Sequence, residues 1–309
     1  MVWRVILDLS IIVNGVISLF LIMLIGVYGS KRKIITPQVN KGLTNVLLEI
    51  TLPCLVISSF IFDMNEELKN NIIKCFIYSP IVIIITILIS YIALFPIKTN
   101  KKVIMQFANV FSNCGFIGFP IIFSIFGGEG VIYASIFNMF FTMFVWTYGL
   151  ILFNGKMQRK DFKNVLLNPA IIAVFIGLII MIFKVNIPEV INSTLDLVGG
   201  MTSPLSMIIV GVILGNAKVI NYLKDCTIYY SCILKLIVVP YTLLFIANGI
   251  NDNSIVSKTL IILSAMPAAA MTSILAENFD KEKEYSAVIV FITTLFSLIT
   301  FPILLNNIL

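Results

Sequence analysis

The chain has 309 residues, of which 59% are hydrophobic and 12% charged, with a mean hydropathy of +1.06. No soluble globular domain carries that much apolar surface, so the composition specifies an all-α polytopic membrane protein and excludes a soluble enzyme. The net charge of +6 fits basic loops on one face of a membrane and calls for no nucleic-acid partner.

Apolar windows of about 20 residues, the length a membrane helix needs, recur ten times. They fall at about 8–29, 42–62, 71–95, 104–126, 130–153, 165–184, 194–215, 227–248, 256–277 and 284–307. The first is too long for a cleaved leader and lacks a small-residue cleavage site, so it reads as a retained span. No soluble domain fits between spans; the longest charged connection, Asn154 to Asn164, is a short basic loop.

The halves 1–155 and 156–309 resemble each other. Thr51-Leu52-Pro53 recurs as Thr202-Ser203-Pro204, the two prolines lying 151 residues apart, and Ser112 pairs with Ser264 at an offset of 152. Five spans per copy is an odd number, so the second copy is expected to be inverted relative to the first. Pro120 and Pro267 differ by 147, about one helical turn off that register. Lys and Arg count 15 in the loops after odd-numbered spans and 5 on the opposite side. The positive-inside rule then places both termini outside the cell membrane.

Spans 4 and 9 carry small residues and proline where a helix should be continuous: Phe111-Ser112-Asn113-Cys114-Gly115-Phe116-Ile117-Gly118-Phe119-Pro120 and Ser264-Ala265-Met266-Pro267-Ala268-Ala269-Ala270-Met271-Thr272. Proline removes a backbone hydrogen bond and clashes with the preceding turn. Lipid cannot satisfy the freed groups, so such breaks mark protein-lined cavities and, in matched positions of two repeats, a transporter's substrate site. Each proline suits the first turn of a new half-helix. Two such N-termini, each with partial positive charge, would form an anion pocket. Gly115 and Gly118 would allow close backbone approach, Asn113 offers a donor and an acceptor, and Ala268 and Thr272 line the second break.

Lys235 lies roughly 13 Å into span 8, near the middle of a bilayer core about 30 Å thick. It is read as attracting an anion or forming a buried ion pair, with snorkelling to the interface as the alternative. Glu49, Asn138 and Glu277 are further lining or coupling candidates, although interhelical hydrogen bonding or solvation near a span end would also account for them. The five cysteines show no metal-like spacing and histidine is absent, so no cofactor or metal site is expected. The coupling ion, H+ or Na+, is left open.

Asn113-Cys114-Gly115-Phe116-Ile117-Gly118-Phe119-Pro120, followed by Phe126-Gly127-Gly128-Glu129-Gly130, resembles the fourth-span signature of the auxin efflux carrier family. Leu166-Leu167-Asn168-Pro169-Ala170, Thr202-Ser203-Pro204-Leu205-Ser206-Met207 and Ala265-Met266-Pro267 leading to Leu275-Ala276-Glu277 are similar to its second half. The resemblance implies a secondary carrier of organic anions, with a scaffold of spans 1, 2, 6 and 7 and a mobile transport domain of spans 3–5 and 8–10. Pro120 and Pro267 correspond to the family's crossover prolines and Asn113 to its asparagine seven residues before the first. The short loop between spans 5 and 6 departs from plant members, so a small carboxylate such as malate is expected rather than auxin. A second copy of the chain is a candidate partner by the same resemblance. The alternatives are a sodium-coupled symporter resembling the bile acid family and a non-transporting membrane sensor or scaffold.

Overall fold

A computed structural model describes residues 2–61, 66–155, 167–216, 222 and 224–308. The basic connection after Gly155, the junction between the sequence halves and Leu166 of the quoted motif lie outside them. The helices are α1 (Val2–Lys31), α2 (Pro37–Ser59), α3 (Glu66–Ala93), α4 (Lys102–Val110), α5 (Cys114–Asn154), α6 (Pro169–Ile182), α7 (Glu189–Gly215), α8 (Cys226–Gly249), α9 (Ile255–Ala265), α10 (Met271–Asn278) and α11 (Lys283–Ile308). Among the described residues six helices, α2, α3, α5, α7, α8 and α11, are long and apolar enough to cross a membrane. Ile17–Lys31, α6 and α9 are shorter apolar helices. α5 is interrupted at Gly127, whose φ of 60° and ψ of −149° suit a residue without Cβ.

Local chemistry explains several starts. Thr36 and Ser254 cap α2 and α9 by accepting from Val39 N and Ser257 N, each at 3.3 Å, and Asn168 caps α6 by accepting from Ala170 N at 3.0 Å. Pro37 and Pro169 follow at first-turn positions, where the missing N–H costs nothing. A second proline pattern lies inside helices. The wide turns Leu47–Thr51, Cys114–Gly118 and Leu234–Val238 each stand directly before a segment with proline as its second residue, Pro53, Pro120 and Pro240. A π-type turn moves the carbonyl that the proline ring would strike, so the helix continues.

The chain forms two compact units, each drawing on both halves of the sequence. The first comprises residues 1–74, 115–139 and 166–216; the second comprises 75–114, 140–165 and 217–309. In the first unit α1 packs along the second part of α7, and the end of α2 packs against α6 and the first part of α7. In the second unit α11 contacts α4, α8, α9 and α10. Its core gathers Phe107, Phe111, Phe153 and Tyr285, all fully buried. The outer faces carry large apolar side chains such as Phe183, Val190, Leu197 and Phe245, each more than 70% exposed, as a lipid-facing surface requires.

Candidate functional site

The two breaks meet within the second unit. α4 ends at Val110, and Phe111 turns extended with φ −96° and ψ 110°. α9 ends at Ala265, and Met266 adopts φ −62° and ψ 150°, as the residue before a proline must. The released stretches pair through an antiparallel bridge between Ser112 and Ala268. Asn113 N–H donates to the Pro267 carbonyl at 2.7 Å, and Ala269 N–H donates to the Phe111 carbonyl at 2.9 Å. Ala268 N–H donates to Thr293 Oγ1 on α11 at 3.2 Å. Backbone groups that lipid would strand therefore satisfy one another.

The prolines act differently from the half-helix starts expected of them. Pro267 lies in the extended stretch and ends α9, while α10 begins four residues later at Met271. Pro120 stands just after the wide turn Cys114–Gly118, so the helix is already under way when it arrives. The reason is the pairing itself: the Pro267 carbonyl is committed to Asn113, which holds that residue extended.

Lys235 is fully buried on the wide turn of α8. Its Nζ donates to the Asn109 carbonyl at 3.1 Å and to Ser112 Oγ at 2.6 Å. Ser112 Oγ in turn donates a hydrogen bond to the Ser264 carbonyl at 3.1 Å. The ammonium thus points inward to the crossing instead of snorkelling, and among the described residues no carboxylate pairs with it. The Asn109 carboxamide and Thr272 Oγ1 are both fully buried and make no hydrogen bond. Thr272 opens α10, which packs against α4. Buried polar groups are ordinarily satisfied, so these two are poised for a ligand or water.

The second unit therefore brings together Asn113, Lys235, Pro267, Ala268 and Thr272. Gly115, Gly118, Pro120, Asn138 and Glu49 belong to the first unit. There Gly115 has open space where a Cβ would stand, Gly118, Pro120 and Asn138 are buried, and Glu49 is exposed on the wide turn of α2. Glu277 belongs to α10, and its side chain lies outside the described ones. Asn109 and Thr293 contribute to the crossing without a sequence signature of their own, and Ser112 and Ser264 stand out in the sequence only as a repeat pair. A signal was present: Gln106, Asn109 and Ser112 recur every third residue in an otherwise apolar segment, which is one helical face. Gln106 is buried as well, accepting from Ser90 Oγ at 3.1 Å and donating to Tyr148 Oη at 2.9 Å. Gln106→Leu is expected to lower stability by about 1–3 kcal/mol by orphaning the Ser90 and Tyr148 hydroxyls; thermal melting of purified protein checks it.

At the start of α4, Lys101 Nζ donates to Asp225 Oδ2 at 2.5 Å and lies 5.2 Å from the Tyr285 ring centre. Asp225 also caps α8, its Oδ1 accepting from Thr227 N at 3.0 Å. The hydrogen bond to Asp225 holds the Lys101 ammonium above the ordinary lysine range. Burial opposes ionisation of Asp225, yet the bonds from Lys101 and Thr227 outweigh it and hold its carboxyl below the ordinary range. The carboxylate's contribution is present above its unfolded pKa and is lost as pH falls through the lowered folded value. The lysine's contribution is present below its own unfolded pKa and is lost as pH rises through the raised one. The contact is therefore constant through neutral pH. Asp225→Asn, which retains capping ability, is expected to lower stability at pH 7 and to flatten its acid limb; melting curves between pH 3 and 8 check this.

A family model for membrane transport proteins matches residues 11–305. The chain belongs to that family, the auxin efflux carriers. It is 27% identical over 297 residues to an uncharacterized transporter of Methanocaldococcus jannaschii, covering 92% of this chain and 94% of that one. A second uncharacterized transporter, from Methanothermobacter thermautotrophicus, is 22% identical over 93% of this chain and 95% of its own. The uncharacterized transporter YfdV of Escherichia coli K12 is 22% identical over 88% and 90%. The protein is accordingly a multi-pass membrane transporter.

Proposed function

We propose that this carrier moves small organic anions, carboxylates such as malate, by alternating access with an elevator-like motion in the cell membrane. The observation that carries the reading is the charge balance at the crossing. One basic side chain, Lys235, is buried there, no carboxylate pairs with it among the described residues, and two buried polar groups next to the break have no partner. A low-dielectric site whose basic group faces no carboxylate favours an anionic guest over a cationic one. The Asn109 carboxamide and Thr272 hydroxyl are donors of the kind that orients a carboxylate, and the first turn of α10 adds partial positive charge. Asn113, whose backbone is pinned to Pro267, would present its amide from a fixed position.

The orientation with both termini outside follows from the lysine and arginine count. The scaffold and transport grouping, and a homodimer, remain part of the proposal through the family resemblance. Proteoliposomes loaded with unlabelled malate are expected to take up radiolabelled malate by exchange, and a panel of organic acids is expected to raise the melting temperature selectively. Exchange of amines or neutral solutes, with no organic acid recognised, would overturn the reading.

A further inference from the structure

We propose that the Lys235 ammonium is a built-in cation that occupies a cation site formed by two helix C-termini, so that this carrier needs no sodium ion at the crossing. α4 and α9 both stop at the break, at Val110 and Ala265. A helix C-terminus carries a partial charge of about −0.5 and carbonyls without intrahelical partners. Half-helix C-terminal ends and unwound carbonyls are where ion-coupled carriers coordinate a monovalent cation.

In this chain those oxygens converge on a nitrogen. The Asn109 carbonyl belongs to the last turn of α4, and the Ser264 carbonyl to the last turn of α9. Nζ reaches the first directly at 3.1 Å and the second through Ser112 Oγ, which accepts from Nζ at 2.6 Å and donates to Ser264 at 3.1 Å. The lysine is delivered by a different helix, from the wide turn Leu234–Val238 that precedes Pro240. A single tethered charge thus faces both negative ends, and its attachment to the chain removes the entropy cost of recruiting a diffusible ion. The same charge favours an anion nearby, yet the inference does not rest on the carboxylate reading.

The experiment reads stability alone, so its failure is distinguishable from failure to transport malate. Lys235→Ala leaves the oxygens in place and opens the space of the side chain. In N-methylglucamine chloride its melting temperature is expected to fall by roughly 10 °C. At constant ionic strength, ethylammonium or sodium chloride should restore most of that loss with a saturable dependence. Lys235→Met, whose thioether keeps the space filled, should be destabilised without cation rescue, and the wild type should be indifferent to both salts. A Lys235→Ala variant that melts like the wild type, or whose loss no cation restores, would overturn the proposal. Should that variant fail to fold, the wild type decides: saturable stabilisation by sodium overturns the assignment, and indifference to sodium supports it.

Discussion

Gly211→Leu is expected to dismantle the first unit. α1 and α7 touch there through their backbones. A Cβ on Gly211 would overlap the Met23 carbonyl and lie 2.9 Å from Gly26 Cα and from Val27 N. A Cβ on Gly26 would in turn fall within 2.9 Å of the Ile208 backbone. Neither contact is the far end of a flexible side chain, so relief demands that two helices move apart along their length. Gly215, one turn further along α7, is less tightly placed, a Cβ there lying 3.0 Å from the Ser30 side chain and 3.3 Å from the Val27 carbonyl. In lipid, where no hydrophobic effect drives helices together, this close approach supplies much of the association energy. Overpacking of side chains alone costs about 1–3 kcal/mol. A backbone clash exceeds that, and loss of a monodisperse peak in detergent is the expected readout. Gly42→Leu, at a position with open space around it, serves as the control. Equal behaviour of the two variants would refute the close packing.

Asn113→Ala should reduce malate flux by about 10- to 100-fold while leaving the melting temperature close to that of the wild type. The fold change corresponds to losing one or two buried polar contacts to a ligand. The backbone N–H of Asn113, which donates to the Pro267 carbonyl and pins the crossing, survives the substitution. Full transport by the variant would remove Asn113 from the site. Flux lost together with folding would assign it to packing.

Much of this architecture was legible in advance because the bilayer imposes simple rules. Apolar length marks helices, and proline with small residues marks their interruption, as at Asn113–Pro120 and Ala265–Thr272. Lys235 stood out because a charge in that setting is costly. Its direction did not, since a lysine stem can reach toward an interface or inward with equal chemistry. The role of Pro267 was misread for a related reason. The pattern of a proline among small residues is the same whether the proline starts a helix or stops one, and the Asn113 N–H that holds it extended comes from a remote segment.

By itself, then, the sequence determined the membrane class, the membership in a transport family, the location of both breaks and the presence of one charge in span 8. These follow from local composition and spacing, which act within a turn or two of helix. The tertiary structure alone decided that the two breaks pair with each other, that Pro267 ends α9 without opening α10, and that Lys235 joins the ends of α4 and α9. Each of those outcomes depends on partners more than a hundred residues apart in the chain. Which carbonyls a buried ammonium finds is set by the packing of α4, α8 and α9 in three dimensions, and no local pattern carries that information.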